Sequence, residues 1–281
     1  MGYVWNCLTS LIHNAFLLSF NKCYLFSFSE YLKNRGTQAF ICCDKAEDAN
    51  AIVLAFRGTE PFNAYDWITD VDLSWLSMGK FGKAHLGFMR ALGLQDEKDV
   101  EKGFPREHAG HEEGKLLAYY AIREELNQLL EKHKRAKIII TGHSLGGALA
   151  ILFPALLAMH ERHDIIDRIH GVMTYGQPRV GDAVFGRNVQ AVLKSKYHRM
   201  VYRYDIVPRV PFDKPPVALF KHFGTCIYFT SWYEGKVRML ALLPPFRLEH
   251  LQWNVIFYPS NRSLFLSLFD RGLIVRRQLG S

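Results

Sequence analysis

The sequence predicts an α/β protein built on a doubly wound, mostly parallel sheet. Three observations lead there. Short runs of strand formers alternate with stretches of helical periodicity. One strand, residues 138–141, passes through Gly142-His143-Ser144-Leu145-Gly146 directly into good helix formers. Two further strands end in Gly-, Pro- or Asp-bearing loops, at 176–182 and 205–211. The 281 residues suffice for one large domain, and no linker or internal repeat divides them.

The elbow is the centre of that pattern. In a strand–turn–helix setting, Gly-x-Ser-x-Gly reads as a nucleophile turn, with Ser144 held in strain and its hydroxyl turned outward. The chain passes too closely there for side chains at both flanks, which explains the glycines. The next amide, Leu145 N–H, opens a helix and is aimed at a developing oxyanion.

Composition narrows the class. Hydrophobic content of 49% and charged content of 22% are those of a globular protein. The net charge of +8 belongs to the last third: from residue 194 onward there are 14 Lys/Arg against 5 Asp/Glu. A basic, aromatic-rich end suits anionic lipid head groups, and a solvated basic surface explains it equally well. No nucleic-acid motif accompanies it. Five cysteines form no spaced framework or metal pattern, so thiols in a reducing compartment are expected, with no metal and no cofactor.

In order, Val4, Leu8, Leu11, Ala15 and Leu18 recur at helical spacing, but polar residues interrupt the run. That segment reads as a helix lying on a membrane or droplet surface, or docked on the core. No secretory signal is expected. Residues 37–43 and 51–56 read as adjacent strands, the second breaking at Arg57-Gly58-Thr59-Glu60-Pro61. Trp67, Ile68, Val71 and Trp75 share one helical face of 62–75, which by itself reads as a core helix. His85 reads as structural. A helix with Tyr119, Ile122, Leu126, Leu129 and Leu130 on one stripe delivers the chain to the elbow strand. Pro154 is expected to perturb the elbow helix. Strands at 168–175 and 198–204 come next, and Asp205 ends the second, where an acid partner for a histidine belongs.

These residues resemble the class 3 lipases, the fungal triacylglycerol lipase family, and within it the plant oil-body-associated lipases. The resemblance rests on Phe56-Arg57-Gly58-Thr59-Glu60, Asp66-Trp67-Ile68-Thr69-Asp70, His85-x-Gly87-Phe88, the elbow, Tyr175-Gly176-Gln177-Pro178-Arg179-Val180-Gly181, Asp205-Ile206-Val207-Pro208-Arg209, Lys221-His222-Phe223-Gly224-Thr225 and Tyr233-Glu234-Gly235-Lys236. It covers residues 37–236, leaving an apolar N-terminal segment (1–36) and a basic, aromatic C-terminal one (237–281). It implies an α/β-hydrolase fold, with helices on both faces of a mostly parallel central sheet. It also implies Ser144 as nucleophile, Asp205 as triad acid, and Thr59 beside Leu145 N–H as the oxyanion hole. Residues 62–75, with Trp67, Ile68, Val71 and Trp75, become the lid, reversing the core reading. The implied partner is lipid at a lipid–water interface, with the chain intracellular and peripheral on a droplet or membrane. Oligomeric state is left open.

Two departures accompany the resemblance. The family's triad histidine comes last, and residues 237–281 hold no good counterpart to its motif. After Asp205 the chain has only His222, in a motif that the family places on a structural strand, and His250, at a plausible distance. Residues 1–29 read as a shortened or alternative start. Two functional readings result. One is a triacylglycerol lipase with His250 as proton acceptor, phospholipid or galactolipid esters being the alternative substrates. The other is a relative that lacks the base and binds lipid surfaces. In a serine-hydrolase triad, loss of the histidine costs on the order of 10⁶ in turnover.

Overall fold

A computed structural model describes residues 22–27, 38–58, 74–93, 103–106, 117–211, 213–214, 218–229, 234–239 and 253–256. The strands are β1 (Lys22–Ser27), β2 (Gln38–Cys43), β3 (Ala51–Phe56), β4 (Trp75–Ser77), β5 (Lys83–His85), β6 (Lys137–His143), β7 (Ile169–Tyr175), β8 (Tyr197–Tyr202), β9 (Asp213–Lys214), β10 (Ala218–Leu219), β11 (Thr225–Phe229), β12 (Glu234–Met239) and β13 (Trp253–Ile256). The helices are α1 (Leu86–Ala91), α2 (Ala118–Lys132), α3 (Leu145–Met159), α4 (His163–Ile166) and α5 (Ala183–Leu193).

Nine strands form one sheet in the order β1-β2-β3-β6-β7-β8-β11-β12-β13. Its centre, β3 through β11, is parallel, while the two strands at either edge pair antiparallel. The sequence explains the centre. A parallel strand covered on both faces reads as a continuous apolar run, and in Ala51-Ile52-Val53-Leu54-Ala55-Phe56 every residue after the first is buried. Helix α3 packs on β3, β6 and β7, and it is apolar around its whole circumference, as a fully buried helix must be. Pro154 does not end it: the helix continues to Met159.

Helix α2 lays the expected stripe, Tyr119, Ile122, Leu126 and Leu129, into the core. Tyr119 O–H donates to His160 Nδ1 at 2.8 Å, and His160 Nε2–H donates to the carbonyl of Phe104 at 2.7 Å. This chain ties α2, the end of α3 and the 103–106 segment together. At the far end of α2, the Ala49 amide donates to His133 Nδ1 at 3.1 Å, joining helix and β2–β3 turn.

Several expectations are corrected. Trp75 belongs to a two-stranded sheet, β4 with β5, rather than to a helical face. Its indole stacks on Phe220 with centroids 3.8 Å apart. In this structure Trp75 is thus held by strand pairing and ring stacking at the end of the segment read as a lid. Strand β8 stops at Tyr202, two residues early, because Arg203 takes a positive φ of 40° and turns Tyr204 outward, 82% exposed. Cys42 is disulfide-bonded, against the expectation of thiols, while Cys226 is a thiol. The register sets Cys42 opposite Cys23, a proximity that their separation along the chain conceals. The N-terminal helix expected over residues 4–18 lies outside the described residues, and residues 22–27, beyond it, form edge strand β1.

Candidate active site

Ser144 sits between β6 and α3 with φ 54° and ψ −123°, in the backbone region that side chains rarely occupy. The strain is held from several sides. Ser144 N–H donates to Tyr175 O at 3.0 Å, and Ser144 O accepts from Gly147 N and Ala148 N at 2.9 and 3.2 Å. A Cβ on Gly142 would lie 2.2 Å from Gly146 O, and one on Gly146 would lie 2.2 Å from Phe56 O. The elbow glycines are therefore required by backbone closing on backbone. Ser144 is 3% exposed, and its Oγ is buried with no hydrogen-bond partner among the described residues. A buried hydroxyl without a partner costs stability and calls for an explanation, of which a catalytic role is one.

Around it stand the ends of β3, β7 and β8. Gly58, just past β3, comes so close that a Cβ there would be 2.5 Å from His143 O and 3.5 Å from Ser144 Cβ. Leu145 N–H is the first amide of α3, where helix N–H groups lack intrahelical partners. Asp205 lies beyond the end of β8. Its amide donates to Tyr202 O, and its Oδ1 accepts from Val207 N at 3.1 Å in an Asx-type turn. The other oxygen packs on Gly176, the residue after β7. A Cβ there would be 2.6 Å from Asp205 Oδ2 and 3.2 Å from His143 Nε2, and the φ of Gly176 is +54°.

Burial shapes the electrostatics. The Asp205 carboxyl is raised above the ordinary carboxylate value by burial, partly offset by the Val207 N–H and Arg209. Burial also lowers His143 to about 4, so that ring is neutral at neutral pH. His222 lies well below the ordinary histidine value, first through burial and then through Arg199 and Arg179.

The chain matches the family model described as lipase (class 3) over residues 53–214, more than half its length. It belongs to the class 3 lipases. It is 45% identical to a triacylglycerol lipase OBL1 of Arabidopsis thaliana, over 78% of this chain and 44% of that protein. A triacylglycerol lipase OBL1 of Nicotiana tabacum is 42% identical, over 73% of this chain and 46% of that one. Among solved structures, lipase II from Rhizopus niveus superposes with a TM-score of 0.52 at 28% identity, covering 74% of this chain and 66% of that one. This class 3 lipase chain thus spans less than half the length of the curated relatives it matches.

Of the residues singled out from the sequence, the fold brings Ser144, Leu145 and Asp205 to one edge of the sheet. Thr59, Trp67, Ile68, Val71 and His250 lie outside the described residues. His222 precedes β11, and its Nε2–H donates to Pro208 O, beyond Asp205 in the same loop. A neutral ring spent on that carbonyl is a loop anchor, not a base for Ser144. His85 is structural as expected, buried and stacked on Phe88 at 4.2 Å. Three residues of the site carried no signal of their own role: Gly176, His143 and Arg179. Each was visible only as part of a motif, because its partner comes from another strand end.

Proposed function

We propose that this chain carries the catalytic centre of a lipid ester hydrolase, with triacylglycerol as its substrate class. The observation that carries the proposal is the strained elbow: a buried Ser144 hydroxyl at the head of a helix, with one strand, β7, between its own strand and the one that leads to Asp205. In this reading Ser144 Oγ attacks the ester carbonyl and His250 takes its proton. Asp205 orients and stabilises the resulting imidazolium. Leu145 N–H and Thr59 hold the oxyanion. The triacylglycerol lipases to which the chain is 42–45% identical support the substrate class. Residues 62–74, with Trp67, Ile68 and Val71, form the lid and Trp75 its fixed end. The protein works peripherally at a lipid droplet or membrane surface; no helix among the described residues is long and apolar enough to cross a membrane.

A second reading, lipid binding without turnover, is favoured by one observation. After Asp205 the chain has two histidines, and His222 is committed to Pro208. Of these two, His250 is the one left as a candidate base. Reaction with an alkyl fluorophosphonate separates the two. The first reading expects labelling of the wild type that vanishes in both Ser144→Ala and His250→Ala. An unlabelled but folded wild type that still floats with triolein droplets establishes the second. Labelling that persists in Ser144→Ala refutes the first outright.

A further inference from the structure

The loop that carries Asp205 is short of donors of its own and rich in acceptors. Pro208 and Pro211 contribute carbonyls but no N–H, and the segment follows no strand ladder. All seven carbonyls from 205 to 211 are nevertheless occupied. The first three are served from within: Arg209 Nε–H donates to Asp205 O at 3.3 Å, Arg209 N–H to Ile206 O at 2.8 Å, and Val210 N–H to Val207 O at 3.2 Å. The last four are served from outside. His222 Nε2–H donates to Pro208 O. Arg179 serves the other three: its Nη1 to Arg209 O, its backbone N–H to Val210 O at 2.9 Å, and Nη1 again to Pro211 O at 2.7 Å.

Arg179 lies three residues beyond Gly176, the glycine against which Asp205 Oδ2 packs. One loop therefore touches the Asp205 loop twice, at the carboxylate and at its far end. Gln177 lies between these contacts and anchors that loop, accepting from the buried Tyr197 O–H at 2.6 Å. Two contacts from a fixed loop determine both the position and the tilt of the segment between them. The guanidinium can do this because the two N–H bonds of Nη1 reach two carbonyls at once while the backbone amide takes a third.

We propose that Arg179 is the positioning residue of the site, setting where the Asp205 carboxylate lies by holding three carbonyls of its loop, with His222 holding a fourth. This rests on the reading of Ser144 and Asp205 as a catalytic pair, but its geometric part can be measured without catalysis. Among the described residues, His143 from the elbow lies beside the same Gly176 as the Asp205 carboxyl, and Arg209 from its own turn acts on it electrostatically.

The test is a carboxyl carbon-13 titration of Asp205, assigned by its loss in Asp205→Asn, in the wild type, Arg179→Met and Arg179→Lys. It is paired with the rate of Ser144 reaction with an alkyl fluorophosphonate. In Arg179→Met the loop loses its clamp, the carboxylate gains water, and its midpoint falls towards the ordinary carboxylate value. Loss of a nearby positive charge alone would raise it, so the sign separates displacement from electrostatics. The labelling rate falls on the order of 10²-fold, as for a triad member moved by about 1 Å. Arg179→Lys keeps the charge, replaces the rigid planar guanidinium with a point donor on a flexible stem and falls between. Should Arg179→Met not fold, the lysine variant carries the same test. An Asp205 midpoint and labelling rate unchanged in the folded variants overturn the proposal. An unlabelled wild type whose Asp205 midpoint still shifts in Arg179→Met refutes the catalytic reading and leaves the positioning role standing.

Discussion

Ser144 holds a positive φ where Gly142 and Gly146 let backbone meet backbone around it, and substitutions at the elbow glycines should rank by what the new Cβ would strike. At Gly142 and Gly146 the obstacle is a carbonyl 2.2 Å away, whereas at Gly147 it is the Gln177 side chain at 3.1 Å. Gly142→Ala and Gly146→Ala should each lower unfolding free energy in urea by about 2–3 kcal/mol, as overpacked sites do, and Gly147→Ala by less than about 1 kcal/mol. An equal loss at all three positions would contradict that ranking. The neighbouring His143 makes a pH prediction. Its folded pKa of about 4 lies below the ordinary 6.5, so the unfolded chain takes up the proton first. Stability from this group is therefore complete above pH 6.5 and is lost as pH falls towards 4. His222 and His198, both lowered, act in the same direction, while the raised Asp205 carboxyl opposes them at the acid end. Urea midpoints taken between about pH 7 and about pH 4.5 should fall less steeply in His143→Asn than in the wild type. Parallel curves would disprove it.

The elements that matter most are joined by single polar side chains, which are buried where apolar packing alone would leave the join unspecified. The Tyr119–His160–Phe104 relay is such a join. Burial raises the Tyr119 hydroxyl to about 12, which keeps it protonated and donating. Tyr119→Phe removes the hydroxyl that donates to His160 Nδ1 and should cost about 1–3 kcal/mol of stability. Labelling of Ser144 should stay unchanged, because the relay is remote from the sheet edge that carries the site. A large loss of labelling with stability intact would refute this assignment. At this scale much is legible in the sequence. The strand over 51–56 appears with the bounds read from the sequence, and the apolar stripe of α2 lies as the spacing of Tyr119, Ile122, Leu126 and Leu129 requires. Trp75 departs from its helical reading because it satisfies the helical repeat only by chance. Its true neighbours are His85 across the strand pair and Phe220, which is far along the chain.

Across the whole molecule, the sheet gathers the site from distant parts of the chain, and the proposed lid segment is the part that would meet lipid. If residues 62–74 open at an interface, Trp67→Ser and Val71→Ser should reduce hydrolysis of a triacylglycerol emulsion by about tenfold or more. Hydrolysis of a monomeric short-chain ester should change less than about twofold. Equal losses on both substrates would refute the lid role.

Fold class, candidate nucleophile and candidate acid were within reach of the sequence alone, because each depends on local information. Periodicity separates strand from helix over a few residues, and an elbow needs its glycines immediately beside the serine. An aspartate closing a strand likewise declares itself by the proline-bearing loop it opens. Which groups surround Asp205 was decided only by tertiary structure. Gly176, Arg179 and His222 reach its loop from β7 and from the approach to β11, and the sheet order alone brings those ends together. The same holds for Cys42, whose register partner position stands on another strand. Hydrogen bonds to carbonyls depend on distance in space, and distance in space between residues far apart in the chain is created only when the strands pair.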